Sequence, residues 1–448
     1  MIQRNGIDKI RHFLQSNSIP DTPLLIEGMR QVGKTYVITQ LCKKLGKSLI
    51  HIDLSDEKLK GSFFGVRHPD DLWNVLAYTY GSRLESTRKV VIFFDNIHLL
   101  PNLAHCIPPL AELSGKISFI LSTLSSDLLR SQNEYFFPEE FVTVKLHPLS
   151  FSEFMRADTC PLDFTPCICN SIRTQTSIPP SVHHHILNLF RTYLVVGGLP
   201  GVVYQYFNTG RDLDEARQAQ LAVLRLINLD LAEYDAALSI KCRNLFNALP
   251  IFLLSQRKRV RYKDIPAAKT SRASSYQREI RFLIDYGVVN PVWNTDNLHS
   301  IPESSGGNRL VKLFLSDVGL LSCQIEPSDL TAAMEGTPGI CLNSLYENAT
   351  VNAFSRINRS LYYFDRRGVG SIDIIFDWKY GRWGFQVKAG RNYKVFSASP
   401  ELIRDFSADN LVAAVSLEES NLLSVDHPPV FTYPVYFSVG WTLGDYED

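Results

Sequence analysis

The sequence has no excess of charge of either sign. Its 448 residues include 46 Lys and Arg and 46 Asp and Glu, so its formal net charge at pH 7 is zero. A neutral protein has no overall field that draws it to nucleic acid or to an anionic membrane surface. Any binding of nucleic acid must therefore come from a local basic patch.

Long apolar runs are missing as well. No segment reaches the roughly 18 consecutive apolar residues of a membrane-spanning helix. The first residues, MIQRNGIDKIRHFLQ, lack the apolar centre of a secretory signal. We therefore expect a soluble, cytoplasmic protein without a membrane partner.

Cysteine pairs with the C-x2-C spacing are also absent. The eight cysteines are scattered along the chain, which is typical of reduced thiols and not of a disulfide framework. The densest group, Cys160, Cys167 and Cys169, precedes three consecutive histidines but lacks the C-x2-C pairs of a zinc site. We predict a connector with incidental thiols in this segment.

Apolar residues make up 45% of the chain, which is enough for well-packed cores. Near the N-terminus, short apolar segments alternate with helical stretches that are long enough for crossover connections. This pattern predicts an α/β domain whose parallel sheet is covered on both faces. The predicted strands are 22–28, 48–55, 89–95, 116–123 and 141–147.

The sequence GMRQVGKT, residues 28–35, fits the pattern G-x-x-x-x-G-K-[ST] between a predicted strand and a predicted helix. In that context the loop amides and the helix N-terminus hold the phosphates of a nucleotide. Lys34 would reach the β and γ phosphates, and Thr35 would bind Mg²⁺. We predict ATP and Mg²⁺ as ligands, with nucleotide contacts from Gly28, Arg30, Gln31, Val32, Gly33, Lys34, Thr35 and Tyr36.

A second signal follows the apolar strand VVIFFD, which ends in Asp95. This carboxylate would be the second Mg²⁺ ligand. Ser122 and Thr123 end the next predicted strand, where a hydroxyl could touch the γ-phosphate or the attacking water, although strands also end in hydroxyl residues without a function. The residue after Asp95 is Asn96, whose amide can orient a water molecule but cannot take its proton.

Together these segments resemble the AAA-superfamily ATPases of bacteria and archaea that carry a C-terminal domain of unknown function. The resemblance rests on LLIEGMRQVGKTYVITQL, VVIFFDNIHLLPNL and HPLSFSEF. It extends to YLVVGGLPGVV, LFLSDVGLLS and YENATVNAF in the same order, and covers nearly the whole chain. The resemblance implies a P-loop domain that binds ATP, followed by a winged helix and a further C-terminal domain.

Two positions depart from the pattern of these ATPases. They carry Glu after the strand-ending Asp, where this chain has Asn96, and an arginine before HPLSF, where it has Glu140. Loss of general-base help costs roughly 10²–10⁴-fold in rate, and loss of an arginine finger about 10³–10⁵-fold. The resemblance therefore implies ATP binding with slow hydrolysis. Replacements could be Arg130 or Arg30 for the arginine and Asp53 or Glu57 for the base, and the candidate catalytic residues are Asn96, Ser122 and Arg130.

A local basic segment lies in the middle of the chain. From Arg257 to Arg281 there are nine Lys or Arg and two acidic residues. The pattern predicts a helix in YKDIPAA, a second in SRASSYQREIRFLIDYG and a strand behind it, as in a winged helix that reads DNA. The alternative is a winged-helix fold that packs on the ATPase domain or on a partner protein, with its charges on a solvated face. The candidate DNA contacts are Arg257, Lys258, Arg259, Arg272, Arg278 and Arg281.

The C-terminal region resembles the PD-(D/E)-x-K nuclease fold. Glu347 lies on a predicted helix and Asp373 on the strand SIDIIFD, while Gln386 and Lys388 lie on the strand WGFQVKAG. Strand acids that hold Mg²⁺ next to a lysine suit phosphodiester hydrolysis. Because Gln386 stands where the second acid is expected and brings no charge, we favour a retained fold with a degraded site.

These signals predict a slow ATPase that acts as a nucleotide-dependent switch, with DNA as one candidate partner. The first alternative is a catalytically degenerate, nucleotide-binding interaction module with a protein partner, and the second is an Mg²⁺-dependent nuclease. Oligomers are compatible with each hypothesis. The predicted order is a P-loop domain, a connector with helices, a winged helix and a nuclease-like domain, at 1–157, 158–255, 256–325 and 326–448.

Overall fold

The computed structural model of the protein divides into two compact units. The first comprises the chain up to His147 together with residues 285–287, and the second comprises the remainder from Pro148. The residues that the structure describes are 4, 6–15, 21–84, 89–114, 116–157, 163–174, 176–233, 236–266, 273–298, 310–357, 360–378, 381–389, 412–417, 424–425 and 430–438.

The first unit is built on a five-stranded sheet. Its strands are β1 (Leu24–Glu27), β2 (Ser48–Asp53), β3 (Val90–Asp95), β4 (Ile117–Thr123) and β5 (Val142–Lys145). The order is β2-β3-β4-β1-β5, and all neighbouring strands are parallel. The three inner strands are buried along their whole length, as expected when crossover helices cover both faces. The structure confirms the predicted α/β fold.

Helices precede and connect these strands within the described part of the first unit. They are α1 (Ile7–Gln15), α2 (Lys34–Lys44), α3 (Glu57–Phe63), α4 (Pro69–Leu84), α5 (Ile107–Ser114) and α6 (Ser126–Gln132). Phe63 of α3 packs edge to face on Phe94 of β3, with 5.9 Å between ring centroids. Because the strands run in one direction, their carboxyl ends lie along one edge of the sheet. The polar residues that end β1, β2, β3 and β4 there are Glu27, Asp53, Asp95 and Thr123.

The second unit combines helices with a separate mixed sheet. Its helices are α7 (Phe151–Ala157), α8 (Thr165–Thr174), α9 (Pro180–Val196), α10 (Pro200–Asn208), α11 (Leu213–Glu233), α12 (Ala236–Leu253), α13 (Gln277–Asp285), α14 (Val318–Ser322), α15 (Pro327–Met334) and α16 (Ile340–Ser355). Among the residues described, no single helix has both the length and the apolar character needed to cross a membrane, although α9 and α10, bent by 116°, meet that test as a pair.

Among the residues that the structure describes, eight strands form the sheet of the second unit. They are β6 (Val289–Asn294), β7 (Val311–Leu315), β8 (Leu361–Arg366), β9 (Gly370–Trp378), β10 (Gly381–Val387), β11 (Val412–Leu417), β12 (Ser424–Val425) and β13 (Val430–Pro434). Their order is β12-β13-β11-β10-β9-β8-β6-β7. Strands β6 and β7, which were predicted inside a winged helix, thus lie in the same sheet as the strands predicted for the nuclease-like region.

The helices predicted for the basic segment differ from those observed. Tyr262–Asp264 forms only a short 3₁₀ turn, since Pro266 disfavours a helical conformation at the residue before it. The second helix, α13, begins at Gln277 after a further 3₁₀ turn at Ala273–Tyr276, whereas the prediction placed its start before this turn. The helix pair expected of a winged helix is therefore reduced to one regular helix among the described residues of this segment.

The glycine-rich break VVGGLPGVV is the turn between α9 and α10. Gly197 has a φ of +75°, and a Cβ atom there would lie 2.2 Å from Oδ1 of Asp317. The amide of Gly198 donates to Oδ2 of Asp317 at 2.6 Å. Asp317 is buried at the N-terminus of α14, where its Oδ1 also accepts from the amide of Gly319 at 2.9 Å. The glycines are needed because the turn approaches this carboxylate closely.

Candidate nucleotide-binding site

The loop between β1 and α2 has the backbone that its glycines and motif spacing predicted. Gly28 and Gly33 have φ values of +152° and +87°, and a Cβ atom on Gly28 would lie 2.3 Å from the carbonyl oxygen of Leu146. Gln31 adopts a left-handed conformation, with a φ of +67°. Val32 is buried, whereas Arg30 and Gln31 are exposed and Tyr36 is 52% exposed.

The side chain of Lys34 folds back onto this loop. Its Nζ atom donates to the carbonyl oxygens of Gly28, at 2.6 Å, and of Met29, at 3.1 Å. Burial lowers the pKa of Lys34 to about 8; the negative charge of Asp95 opposes this shift and the positive charge of Arg30 adds to it. An anionic phosphate beside the ammonium group would stabilise the protonated form.

Asp95 is the centre of a hydrogen-bonded cluster at the end of β3. It is 3% exposed; its Oδ2 atom accepts from Oγ1 of Thr35 at 2.6 Å and lies 3.2 Å from Nε2 of His51. Its Oδ1 atom accepts from the hydroxyl of Ser122. Burial would raise the pKa of Asp95, but the hydrogen bonds from His51, Ser122 and Thr35 outweigh it and lower the pKa. The hydroxyl of Thr35 and this carboxylate are the oxygen ligands that Mg²⁺ prefers, so the residues fit the ion.

Three further side chains of the site were not predicted from the sequence. His51 stacks on Phe93, with 5.1 Å between ring centroids, and its hydrogen bond to Asp95 raises its pKa. Glu27 is buried and accepts from the amide of Ser126 at 2.8 Å. Burial, with the charge of Lys34 next in weight, lowers the pKa of His98 to about 3, so this imidazole is neutral at physiological pH.

One sequence signal could have identified His51. It stands two residues before Asp53, and residues two apart on a strand point to the same face.

Asn96 connects the ends of three strands. It has a left-handed backbone with φ 61° and ψ 44°. Its amide N–H donates to Oγ of Ser122, and its side-chain Nδ2 donates to Oδ1 of Asp53, both at 3.0 Å. The structure thus brings together Asn96 and Ser122 of the candidate catalytic residues. The third, Arg130, is exposed on α6 and takes no part in this cluster within the described part of the chain.

The basic segment contributes fewer exposed cations than its sequence suggests. Lys258 is 5% exposed and pairs with Glu347 at 2.8 Å, and Arg259 pairs with Asp365 at 2.6 Å. The charge of Lys258 is therefore buried and compensated internally, which does not favour the predicted contact with DNA. Arg259 is likewise committed to an ion pair. Arg257, Arg278 and Arg281 are exposed, and Arg272 lies outside the described residues.

The nuclease-like residues are also held by internal contacts. Burial would raise the pKa of Glu347, but Lys258 and Lys312 outweigh it and lower the pKa to about 2. Asp373 accepts from the amide of Val387 at 3.1 Å. Gln386 is buried and donates to the carbonyl oxygen of Ser371, and Lys388 is partly exposed just after β10. Across the residues that are described, no group of three or more His, Cys, Asp and Glu side chains is arranged to hold a metal ion.

Comparison with known proteins identifies two regions. Residues 20–155 match the model of an AAA domain, and residues 187–331 match that of a domain of unknown function, DUF8612. Among solved structures, a Walker-type ATPase of Pyrococcus abyssi aligns with a TM-score of 0.43 and 14% identity, over 72% of this chain and 95% of that one. No curated protein matches the sequence. Motif and strand order agree on a P-loop α/β domain in the region, residues 20–155, that matches the model of an AAA domain.

Proposed function

We propose that the protein binds ATP with Mg²⁺ at this loop and hydrolyses it slowly, as a nucleotide-dependent switch. The observation that carries the proposal is the 2.6 Å hydrogen bond between Thr35 and Asp95, beside the ammonium group of Lys34. Two oxygen atoms of the kind that Mg²⁺ prefers thus lie next to the loop, which supports the proposal. When bound, Mg²⁺ would neutralise charge on the β and γ phosphates.

The remaining groups have roles that follow from their positions. The loop amides and the N-terminus of α2 would bind phosphate oxygens, and Lys34 would exchange its bonds to two carbonyl oxygens for bonds to phosphate. Ser122 holds Asp95 and the amide of Asn96 in place. Hydrolysis is expected to be slow because Asn96, directly after Asp95, cannot accept a proton. General-base help is worth roughly 10²–10⁴-fold in rate, and any such help must come from another residue.

DNA is proposed as a partner only through the exposed arginines Arg257, Arg278 and Arg281. The alternative of an interaction module that binds nucleotide without turnover draws support from the second unit, where lysines engage both oxygens of Glu347. The same pairing argues against an Mg²⁺-dependent nuclease, because the carboxylate is already neutralised by two ammonium groups.

Nucleotide binding and phosphate release test the proposal together. Binding of a fluorescent ATP analogue and release of phosphate should both exceed those of Lys34→Ala. We expect the affinity of that variant to fall about 10- to 100-fold, since charge-assisted hydrogen bonds are lost. Lys44→Ala is the matched control, because Lys44 is exposed near the end of the same helix. Equal binding by wild type and Lys34→Ala would overturn the proposal.

A further inference from the structure

We infer that Asp53 is the carboxylate that activates the attacking water and that Asn96 positions this carboxylate. The inference rests on the proposed ATPase function. Asp53 ends β2 and is the register partner of Asp95 on β3, so the two carboxylates lie at neighbouring strand ends. The Nδ2 group of Asn96 donates to Oδ1 of Asp53 at 3.0 Å. A carboxylate thus lies one hydrogen bond away from the position after Asp95, where the chain carries an amide.

The backbone at Asn96 favours a side chain of the Asn or Asp type at this position. Its φ of +61° lies in the left-handed region, which Asn and Asp adopt far more readily than other residues with a side chain. The amide N–H is held by Ser122, so the turn is fixed at both ends and the side chain extends towards β2. This edge of the sheet therefore carries the carboxylate of Asp53 at the end of β2 and the side-chain amide of Asn96 directly after β3.

Other carboxylates at this edge are engaged elsewhere. The side chain of Glu57 is 85% exposed and its carboxylate lies 3.6 Å from Lys60. Asp56 caps α3 by accepting from the amide of Lys58, and Glu27 accepts from the amide of Ser126. Of these acids, Asp53 is the one that contacts the residue after Asp95.

The contacts of Asp53 also leave room for a proton. Its hydrogen bonds from Asn96 and from the amide and hydroxyl of Ser55 all reach Oδ1. Within the part of the chain that the structure describes, none reaches Oδ2. The residue is only partly buried, so water has access to the carboxylate.

The step that this geometry supports is ordinary hydrolysis. The oxygen of a water molecule forms a bond to the γ-phosphorus as the bond to the β–γ bridging oxygen breaks, and ADP leaves with that electron pair. Asp53 takes the proton of the water and returns it to solvent. The products are ADP and inorganic phosphate, and no further reactant is required.

The test compares Asp53→Asn with Glu112→Gln, which changes an exposed acid on α5 and serves as the control. We expect Asp53→Asn to release phosphate roughly 10²-fold more slowly or worse, while its affinity for a fluorescent ATP analogue changes less than about twofold. Asp53→Glu, which keeps the carboxylate, should retain more activity than Asp53→Asn. The double variant Asp53→Asn with Asn96→Asp moves the acid across the same hydrogen bond and should recover activity.

The outcomes separate this inference from the proposed function. If the wild type clearly exceeds Lys34→Ala and Asp53→Asn keeps the wild-type rate, Asp53 is not the base. If Asp53→Asn and Asp53→Glu lose both binding and activity, the residue is structural and the inference is overturned. A wild-type rate no higher than that of Lys34→Ala would overturn the ATPase function, and the role of Asp53 with it.

Discussion

Replacing Glu347 by Gln should strongly destabilise the second unit. The carboxylate is 1% exposed and pairs with Lys258 at 2.8 Å and with Lys312 at 3.0 Å. Burial opposes its ionisation, yet the two lysines lower its pKa from 4.5 to about 2. A shift of this size corresponds to about 3 kcal/mol, and breaking a buried ion pair from one side costs about 3–5 kcal/mol. We therefore expect Glu347→Gln to lose about 3 kcal/mol or more in the free energy of unfolding.

Urea denaturation measures this loss directly. The amide keeps the shape of the carboxylate, but it removes the counter-charge of Lys258 and leaves Lys312 only its more distant partner Asp373, at 3.9 Å. Asp264→Asn is the control, because the side chains of Asp264 and Arg261, paired at 3.0 Å, are 37% and 48% exposed. Losing such a pair should cost at most about 1 kcal/mol. If Glu347→Gln lost less than this control, the cluster would not stabilise the unit, and our reasoning on Lys258 would fail.

Three other predictions concern pH and packing. ATP affinity should fall as pH rises through about 8, because Lys34 then loses its proton in the free protein. A dissociation constant for ATP that does not change between pH 7 and 9 would contradict this. Gly197→Ala should destabilise by about 1–3 kcal/mol, because its φ is +75° and a Cβ atom would meet Asp317. Gly201→Ala, with nothing within 4 Å of a Cβ atom, should be neutral or slightly stabilising in thermal unfolding. Burial raises the pKa of Asp317 from 3.8 to about 6. The native state therefore binds this proton more tightly than the unfolded state does. As pH rises from 4 to 6, the free energy of unfolding of the wild type should decline relative to that of Asp317→Asn. Parallel pH profiles of the two proteins would exclude that contribution.

The parts of the site that the sequence predicts are those set by local geometry. The loop from Gly28 to Thr35 lies within one motif, and its glycines have the positive φ values that the motif requires. Asp95 ends an apolar strand, and parallel strands bring their carboxyl ends to one edge. Motif spacing and strand character were sufficient for both, because neither depends on the register between strands.

The remaining contacts depend on register and turn conformation. Asn96 reaches Asp53 only because β2 pairs with β3 and because the residue after β3 is left-handed. Neither property is visible in the sequence, although the acid at the end of β2 was a candidate base.

The exposure of the charges in the basic segment could not be predicted for a different reason. A run of cations is usually solvated, but the counter-charge of Lys258 is Glu347, which is 89 positions later in the chain. Sequence patterns reveal such partners poorly, because the pairing depends on how a distant helix packs. Strand β6 illustrates the same limit. It was predicted within the winged helix, but in the sheet it pairs with β7 and also with β8, which lies in the region predicted to be nuclease-like.

The contact between Gly198 and Asp317 has a consequence for how the chain folds during synthesis. The two residues are separated by 119 positions, and ribosomes add about 5–20 residues per second. The turn between α9 and α10 therefore emerges on the order of ten seconds before its partner carboxylate. The parallel sheet of the first unit, by contrast, is complete once β5 has been made. We expect this sheet to form on the ribosome while the glycine-rich turn still awaits its partner.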